Sequence, residues 1–137
     1  MHEFALAQAV VDAALQAADK AGISRVTKIA VHIGELQQME RESFAFALKE
    51  VMPATEARLA DTVITIESEP ARLQCRPCQH AFSLDETQAP RHDDELEAIH
   101  FIPELAHAFL RCPRCQSSDF EIIAGRGVTL QSVEGDT

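Results

Sequence analysis

Two C-x-x-C pairs, C-R-P-C at 75–78 and C-P-R-C at 112–115, constrain the fold of this chain more than any other feature. They contain all four cysteines of the 137 residues. Each turn directs two thiolates toward one point, and four thiolates form the closed tetrahedral set that structural zinc prefers. We therefore predict a structural Zn(II) site with the following ligands: Cys75, Cys78, Cys112 and Cys115.

Three other uses of the cysteines suit the sequence to different degrees. A disulfide framework is typical of small secreted domains, whereas this chain begins Met1-His2-Glu3 with no basic segment and no apolar signal core. A thioredoxin-type redox pair shares the proline of the first C-x-x-C but leaves the second pair unexplained. An iron–sulfur cluster also takes four cysteines, and the sequence leaves that alternative open.

The 33 residues between the pairs, 79 to 111, exceed the usual spacing of a zinc ribbon. Doubling a loop costs only about 0.6 kcal/mol of closure entropy, whereas structural zinc binding supplies roughly 10–16 kcal/mol. The gap is therefore compatible with one zinc site and indicates an insertion. This linker, residues 85–108, is acidic, carries three histidines and has an apolar stretch at 99–103. Because long loops in compact proteins are often functional, we expect it to act as a mobile lid.

The charge balance argues against nucleic acid as a partner and against membrane insertion. The chain carries 22 Asp and Glu against 12 Lys and Arg, a net charge of −10, and such a surface repels phosphate. Arginines at 72, 76, 111 and 114 flank the cysteines, and we interpret them as compensation for the double negative charge of a zinc tetrathiolate. No apolar run approaches the ~20 residues of a membrane span. Without a targeting signal, we expect a cytoplasmic protein.

Hydrophobic periodicity predicts the secondary structure. One helix is predicted over residues 3–21 with Gly22 as its C-cap, and a second over about 40–52, stopped by Pro53. Alternation of apolar and polar residues predicts extended segments at 25–33, 62–69, 120–123 and 128–133.

These elements predict an α+β fold in which two helices cover a three-stranded sheet and a four-cysteine zinc module is inserted. We expect a discontinuous first domain of residues 1–72 and 119–137, because a final strand returns to the first sheet. The zinc-binding domain is expected to span residues 73–118 and to contain the long linker.

The N-terminus offers a second set of metal ligands. A bulky second residue blocks removal of the initiator methionine, so we expect Met1 to be the mature terminus. Its α-amine has a pKa of about 7.7–8.0. Together with the backbone nitrogen and the imidazole of His2, it can place three nitrogens around one ion. Tetragonal nitrogen sets suit Ni(II) or Cu(II) better than zinc, although a histidine at position 2 is by itself compatible with no metal role.

Four motifs, in this order along the chain, resemble the HypA/HybF family of nickel metallochaperones, which act in hydrogenase maturation. They are M-H-E-F at 1–4, G-E-L at 34–36, the two C-x-x-C pairs and G-R-G-V at 125–128. The resemblance runs essentially from end to end. It implies that the α+β domain binds Ni(II) as cargo through Met1 and His2, with Glu3 beside the site and Glu40 near it. It also implies that the cysteines bind structural zinc.

The long insert resembles family members in which a linker histidine approaches the nickel. His100 matches that position best, and His107 is a less suitable substitute. The resemblance further implies a GTPase partner that cooperates in delivering nickel to the hydrogenase large subunit, and in some members to urease maturation. We therefore expect a metal-delivery protein and not an enzyme. The alternative is a zinc-stabilised adaptor that docks proteins without transferring metal.

Overall fold

A computed structural model describes residues 2–37, 39–87, 107 and 110–137. The chain forms two compact units, which we call the N-terminal unit and the cysteine unit. The N-terminal unit comprises Met1–His32, Met39–Glu67 and Val128–Thr137, and the cysteine unit comprises Ile33–Gln38 and Ser68–Gly127. Residues 88–106 and 108 of the linker, and residue 109 after it, lie outside the described residues, so the linker's role as a lid stays a prediction. Among the described residues, no helix is both long and apolar enough to cross a bilayer.

Helix α1, Glu3–Lys20, forms because apolar residues recur at helical spacing and no proline interrupts them. After the helix, Gly22 has a φ of +72°, a left-handed conformation that glycine adopts without strain. The N–H of Ile23 then donates to the Ala18 carbonyl at 2.8 Å and closes the C-terminal turn. The predicted helix and its glycine cap are confirmed. Its buried face consists of Ala7, Val10, Val11, Ala14 and Ala18.

The second helical stretch consists of helix α2 (Arg41–Phe46), a π-helical turn (Ala47–Val51) and helix α3 (Met52–Thr55). The sequence prediction that Pro53 stops this helix is wrong, because helical structure continues to Thr55. The π turn restarts the hydrogen-bond register, so the proline falls in the first turn of α3, where its missing N–H costs no intrahelical hydrogen bond. Phe44, Ala47 and Leu48 are buried along this stretch.

Six strands occur in the described residues: β1 (Arg25–Gly34), β2 (Val63–Glu69), β3 (Arg72–Cys75), β4 (Ala81–Phe82), β5 (Phe120–Ala124) and β6 (Val128–Asp136). The first sheet has the order β2-β1-β6. The Thr62 hydroxyl donates to the Val26 carbonyl at 2.7 Å, and the Glu35 N–H donates to the Glu69 carbonyl at 2.8 Å. Between these two bonds, residue numbers increase in the same direction along both strands, so β1 and β2 run parallel. The second helical stretch forms the crossover connection between them.

The cysteine unit contains a second three-stranded sheet with the order β4-β3-β5. Strand β3 pairs antiparallel with both neighbours, so that Leu73 lies opposite Phe82 on one side and Ile122 on the other. This sheet supports a core that includes two of the cysteines: Leu36, Ala71, Leu73, Cys75, Phe82, Leu84, Leu110, Cys112 and Phe120.

The predicted α+β class is confirmed. Helix α1 packs against β6 and the second helical stretch, and the four cysteines lie in the cysteine unit, which has a sheet of its own. One strand differs from the sequence analysis, which placed residues from 119 onward in the first domain. Strand β5 instead pairs with β3, because Phe120 supplies an aromatic side chain to the cysteine unit's core. Of the two strands that follow the second C-x-x-C pair, only β6 joins the first sheet. The domain boundaries expected from the sequence, residues 1–72 with 119–137 and residues 73–118, stay a prediction.

Gly34 lies where a side chain would overlap neighbouring backbone atoms. A Cβ atom added at this position would overlap the carbonyl oxygen of Gly125, which accepts the Leu36 N–H at 2.9 Å. We expect Gly34→Ala to lower the free energy of unfolding by about 3 kcal/mol, because the backbone must shift. The measurement is denaturant unfolding of the metal-loaded protein.

The matched control for this prediction is Gly127→Ala. A Cβ atom at Gly127 meets nothing within 4 Å, and only its φ of +70° opposes the change, so the expected loss is about 1 kcal/mol. Equal losses in the two variants contradict a steric role for Gly34.

Candidate metal sites

The four cysteine sulfurs converge on one point. Their Sγ atoms all lie within 4.8 Å of one another. Cys75 and Cys115 approach to 3.4 Å, and Cys78 and Cys112 approach to 3.6 Å. A tetrahedral ion with bonds of about 2.3 Å requires sulfurs about 3.8 Å apart, so the cluster fits a single ion of that size. All four are free thiols. The predicted ligand set is therefore brought together as one metal-binding group.

The same backbone turn presents both pairs. In each knuckle, the N–H of the first cysteine donates to a carbonyl five residues later, and its own carbonyl accepts an N–H four residues later. The four bonds are 2.9 Å long and join Cys75 to His80, Gln79 to Cys75, Cys112 to Ser117 and Gln116 to Cys112. This tight loop turns the two sulfurs of each pair toward the same side.

Both knuckles close on a glutamine in the left-handed conformation. The φ angle is +66° at Gln79 and +64° at Gln116. Non-glycine residues rarely adopt this region, so each turn is held by its hydrogen bonds against a modest backbone cost. Sequence reasoning missed these residues. The signal was available, because both pairs read C-x-x-C-Q.

Burial and backbone dipoles act differently on the thiols. Cys75 and Cys112 are buried, Cys78 is half-buried and Cys115 is exposed. Burial raises the pKa of Cys75 to about 12. Burial also raises the pKa of Cys112, but hydrogen bonds from the backbone N–H groups of Cys115 and Arg114, together with those from the Cys78 and Cys75 thiols, bring that pKa down to about 7. A divalent cation favours the thiolate form at all four positions, since coordination removes the thiol proton.

The structure describes some of the residues that the sequence predicts for a nickel site at the N-terminus. His2 is half-buried and directly precedes α1, and its carbonyl accepts the N–H of Leu6 at 2.8 Å. Glu3 is 6% exposed. One of its carboxylate oxygens accepts the backbone N–H of Glu40, the N-cap of α2, at 3.0 Å. The structure thus brings Glu3 and Glu40 together, whereas Met1 lies outside the described residues.

Glu3 is an anion over the whole physiological pH range. A hydrogen bond with the α-amino group, followed by that from the Glu40 backbone N–H, lowers its pKa from the ordinary value of 4.5 to about 2. A carboxylate held in this form places negative charge beside the amine that the sequence analysis assigns to nickel.

Of the two linker histidines considered for nickel, His100 lies outside the described residues and His107 lies in the cysteine unit. The Nδ1 atom of His107 is 2.7 Å from the Ser118 carbonyl oxygen, and its ring centroid is 4.5 Å from that of Phe120. Donation from Nδ1 leaves Nε2 as the unprotonated nitrogen of the neutral ring. These contacts hold His107 against β5.

The contribution of Glu3 to stability is expected to be present above pH 4.5 and to disappear as the pH falls toward about 2. Its folded-state pKa lies below the ordinary value, so protonation favours the unfolded state. We expect the Glu40 amide resonance to titrate with a midpoint near pH 2 in an NMR pH series, and to show no such step in Glu3→Gln. A midpoint near the ordinary value contradicts the proposed hydrogen bonds.

Known proteins that resemble this chain share one description. The family model for hydrogenase/urease nickel incorporation metallochaperones, HypA, matches residues 1–135. The hydrogenase maturation factor HypA of Pyrococcus furiosus is 44% identical over 133 residues, which cover 97% of this chain and 94% of that protein. The factor of the same name from Ignicoccus hospitalis is 30% identical over 141 residues, with 98% and 96% covered. The solution structure of the Ni metallochaperone HypA from Helicobacter pylori matches the fold with a TM-score of 0.65 at 21% identity, covering 98% of this chain and 97% of that one.

Proposed function

Because the chain belongs to the HypA family of hydrogenase and urease nickel-incorporation metallochaperones, we propose that it binds Ni(II) at its N-terminus and delivers it to a [NiFe]-hydrogenase. The observation that carries this proposal is the environment of Glu3. This buried carboxylate is paired with the α-amine and with the N-terminus of α2. A negative charge fixed at this point favours a cation bound by the terminal nitrogens.

The proposed nickel ligands are the Met1 amine, the His2 backbone nitrogen and the His2 imidazole. His2 is the N-cap of α1, and the N–H groups at a helix start have no intrahelical acceptor. Deprotonating the His2 amide for a metal therefore costs no hydrogen bond of the helix. Glu3 remains anionic beside these nitrogens and compensates part of the metal's charge. Glu40 donates its backbone N–H to the Glu3 carboxylate, and Glu40 itself is exposed to solvent.

We propose zinc as the ion of the four-cysteine group. Four thiolates in a tetrahedral arrangement suit zinc, whereas Ni(II) favours tetragonal nitrogen and oxygen sets. Two of the thiols belong to the hydrophobic core, so an ion held by them stabilises the cysteine unit. The two sites therefore differ in purpose: the sulfur site supports the structure, and the terminal nitrogen site carries cargo that must be released.

Release requires that the nickel ligands can be lost in steps. We include His100 as the ligand that completes the nickel set, as implied by the longer-linker members of the family. His107 is the less suitable candidate, because the Ser118 carbonyl and the Phe120 ring already hold it. Unchanged nickel release from His100→Ala, compared with the neighbouring linker variant His92→Ala, contradicts this part of the proposal.

The proposed partners are a maturation GTPase that cooperates in delivery and the hydrogenase large subunit that receives nickel. The family description also names urease. Delivery is a transfer of a bound ion, so the protein acts as a carrier and not as an enzyme. We place this activity in the cytoplasm, where reducing conditions keep zinc-binding thiols unpaired. The net charge of −10 disfavours nucleic acid as a partner.

The experiment that tests the function is calorimetric titration of Ni(II) into zinc-loaded protein that begins at Met1. The matched control carries a short Gly-Ser extension, which removes the α-amine from position 1 and leaves both units unchanged. Loss of an outer-shell partner commonly weakens a metal site 10–100-fold, so loss of a ligand is expected to cost about 100-fold or more. Equal affinity in the two proteins contradicts the terminal site, and absence of nickel binding in both favours the zinc-stabilised adaptor.

A further inference from the structure

The first knuckle is tied to the second by hydrogen bonds that do not pass through the cysteine sulfurs. Arg76 lies inside the first C-x-x-C pair, and its backbone N–H donates to the Asp119 carbonyl at 3.0 Å. Its Nη1 atom donates to Oδ1 of Asp119 at 2.8 Å and to the Phe120 carbonyl at 3.1 Å. Three bonds from one residue thus reach the segment that follows the second pair.

Asp119 is in turn connected to the second knuckle. Its backbone N–H donates to the Ser117 hydroxyl oxygen at 3.0 Å. The Ser117 carbonyl accepts the N–H of Cys112 at 2.9 Å, which is one of the bonds that shape the second turn. A continuous path therefore joins Arg76 to Cys112 through protein atoms alone.

The anchor at Phe120 is rigid for reasons independent of metal. Phe120 is fully buried and lies opposite Cys75 in the β3–β5 pair. Its ring meets that of Phe82 edge-on with centroids 5.8 Å apart, and that of His107 at 4.5 Å. Aromatic pairs of this kind stabilise a core beyond the area they bury. Arg76 therefore holds the first knuckle to a fixed point in the cysteine unit.

Compensation of the negative charge on the metal site does not by itself explain the contacts that Arg76 makes. Arg111 and Arg114 are also exposed beside the cysteines, and the described part of the chain forms no ion pair with either. All of these arginines can compensate the negative charge of a zinc tetrathiolate, so charge compensation does not distinguish Arg76 from its neighbours. Arg76 differs from the other two because it spans both knuckles.

We propose that Arg76 and Asp119 are positioning residues, which hold the two knuckles in register before metal binds and so preassemble the four-sulfur site. This inference rests on the zinc assignment of the proposed function but not on nickel binding. If the knuckles are aligned in the metal-free protein, zinc enters a nearly finished site, and little ordering must accompany its binding. Loss of the pair should then slow zinc association and leave zinc dissociation nearly unchanged.

The test measures zinc affinity by chelator competition, and zinc association and dissociation rates by stopped flow, in the full chain. We expect Arg76→Ala to weaken zinc binding about tenfold, since it removes an ion pair and a hydrogen bond to a carbonyl. Arg76→Lys should recover part of the loss, because lysine retains the charge and one donor. Asp119→Asn keeps the side-chain shape and serves as the second variant if Arg76→Ala folds poorly. In a double-mutant cycle, the two losses should be less than additive.

Arg111→Ala is the matched control, because it removes the same charge next to Cys112 without removing a bond between the knuckles. It should change zinc affinity by no more than about twofold. An equal loss in Arg111→Ala and Arg76→Ala overturns the positioning role in favour of charge compensation. A loss confined to the dissociation rate also overturns it. Wild-type protein that binds no zinc contradicts the zinc assignment itself, whereas one zinc per chain with unaltered affinity in Arg76→Ala contradicts only the positioning role.

Discussion

Cys75→Ala is expected to lose zinc and unfold the cysteine unit, whereas Cys115→Ala is expected to retain a weaker zinc complex. The Cys75 side chain is 0% exposed and belongs to the core around Phe120, so its loss removes a ligand and creates a cavity. Cys115 is exposed, so water can take its place. Structural zinc binding supplies on the order of 10–16 kcal/mol, comparable to the entire stability of a typical domain.

Zinc content by atomic emission and the amide NMR spectrum check this prediction. Resonances of the N-terminal unit provide the internal control, because they should persist in both variants. A full equivalent of zinc in Cys75→Ala, or indistinguishable behaviour of the two variants, contradicts the expected difference. Chelator treatment of the wild type should lower the stability of the cysteine unit without unfolding it, because the β3–β5 pairing and the Arg76–Asp119 contact remain and no cavity is created.

His2→Ala is expected to reduce nickel affinity by about 100-fold or more, since it removes the imidazole from the proposed terminal ligand set. The matched control is His32→Ala, because His32 belongs to the same unit but lies in β1, with its Nε2 atom 3.7 Å from a Glu67 carboxylate oxygen. That variant should bind nickel as the wild type does. Both proteins should retain one zinc, which separates loss of nickel from loss of structure.

The pH dependence of nickel binding provides an independent check on the same ligands. The α-amine, with a reference pKa of about 7.7–8.0, must lose its proton before it can bind. Apparent affinity in the wild type should therefore rise by about tenfold or more per pH unit below that pKa, and rise further where the His2 amide is also deprotonated. A flat profile between pH 6 and pH 8, or unchanged affinity in His2→Ala, excludes the terminal nitrogens as ligands.

Local signals made much of this fold predictable. Helix α1 could be predicted because apolar residues recur every three to four positions and Gly22 follows them. The four-cysteine metal site could be predicted because each C-x-x-C turn brings two sulfurs together through backbone hydrogen bonds that span only five residues. In the second helical stretch the same reasoning failed, since Pro53 is a helix breaker by local rules and only the preceding π turn makes it acceptable. The residues themselves offered a possible nitrogen set at Met1 and His2, whereas the proposed parts of Glu3 and His100 in a nickel site came only from the resemblance to a family.

The sequence by itself determined the α+β class, the positions of most elements and the ligands of the sulfur site, because each depends on residues close together in the chain. Tertiary structure alone decided that β5 pairs with β3, that Glu3 accepts the Glu40 N–H from 37 positions away, and that Arg76 joins Asp119 across 43 positions. Such contacts leave no periodic or compositional trace. They form only where packing of the whole chain brings a donor and an acceptor within hydrogen-bond distance.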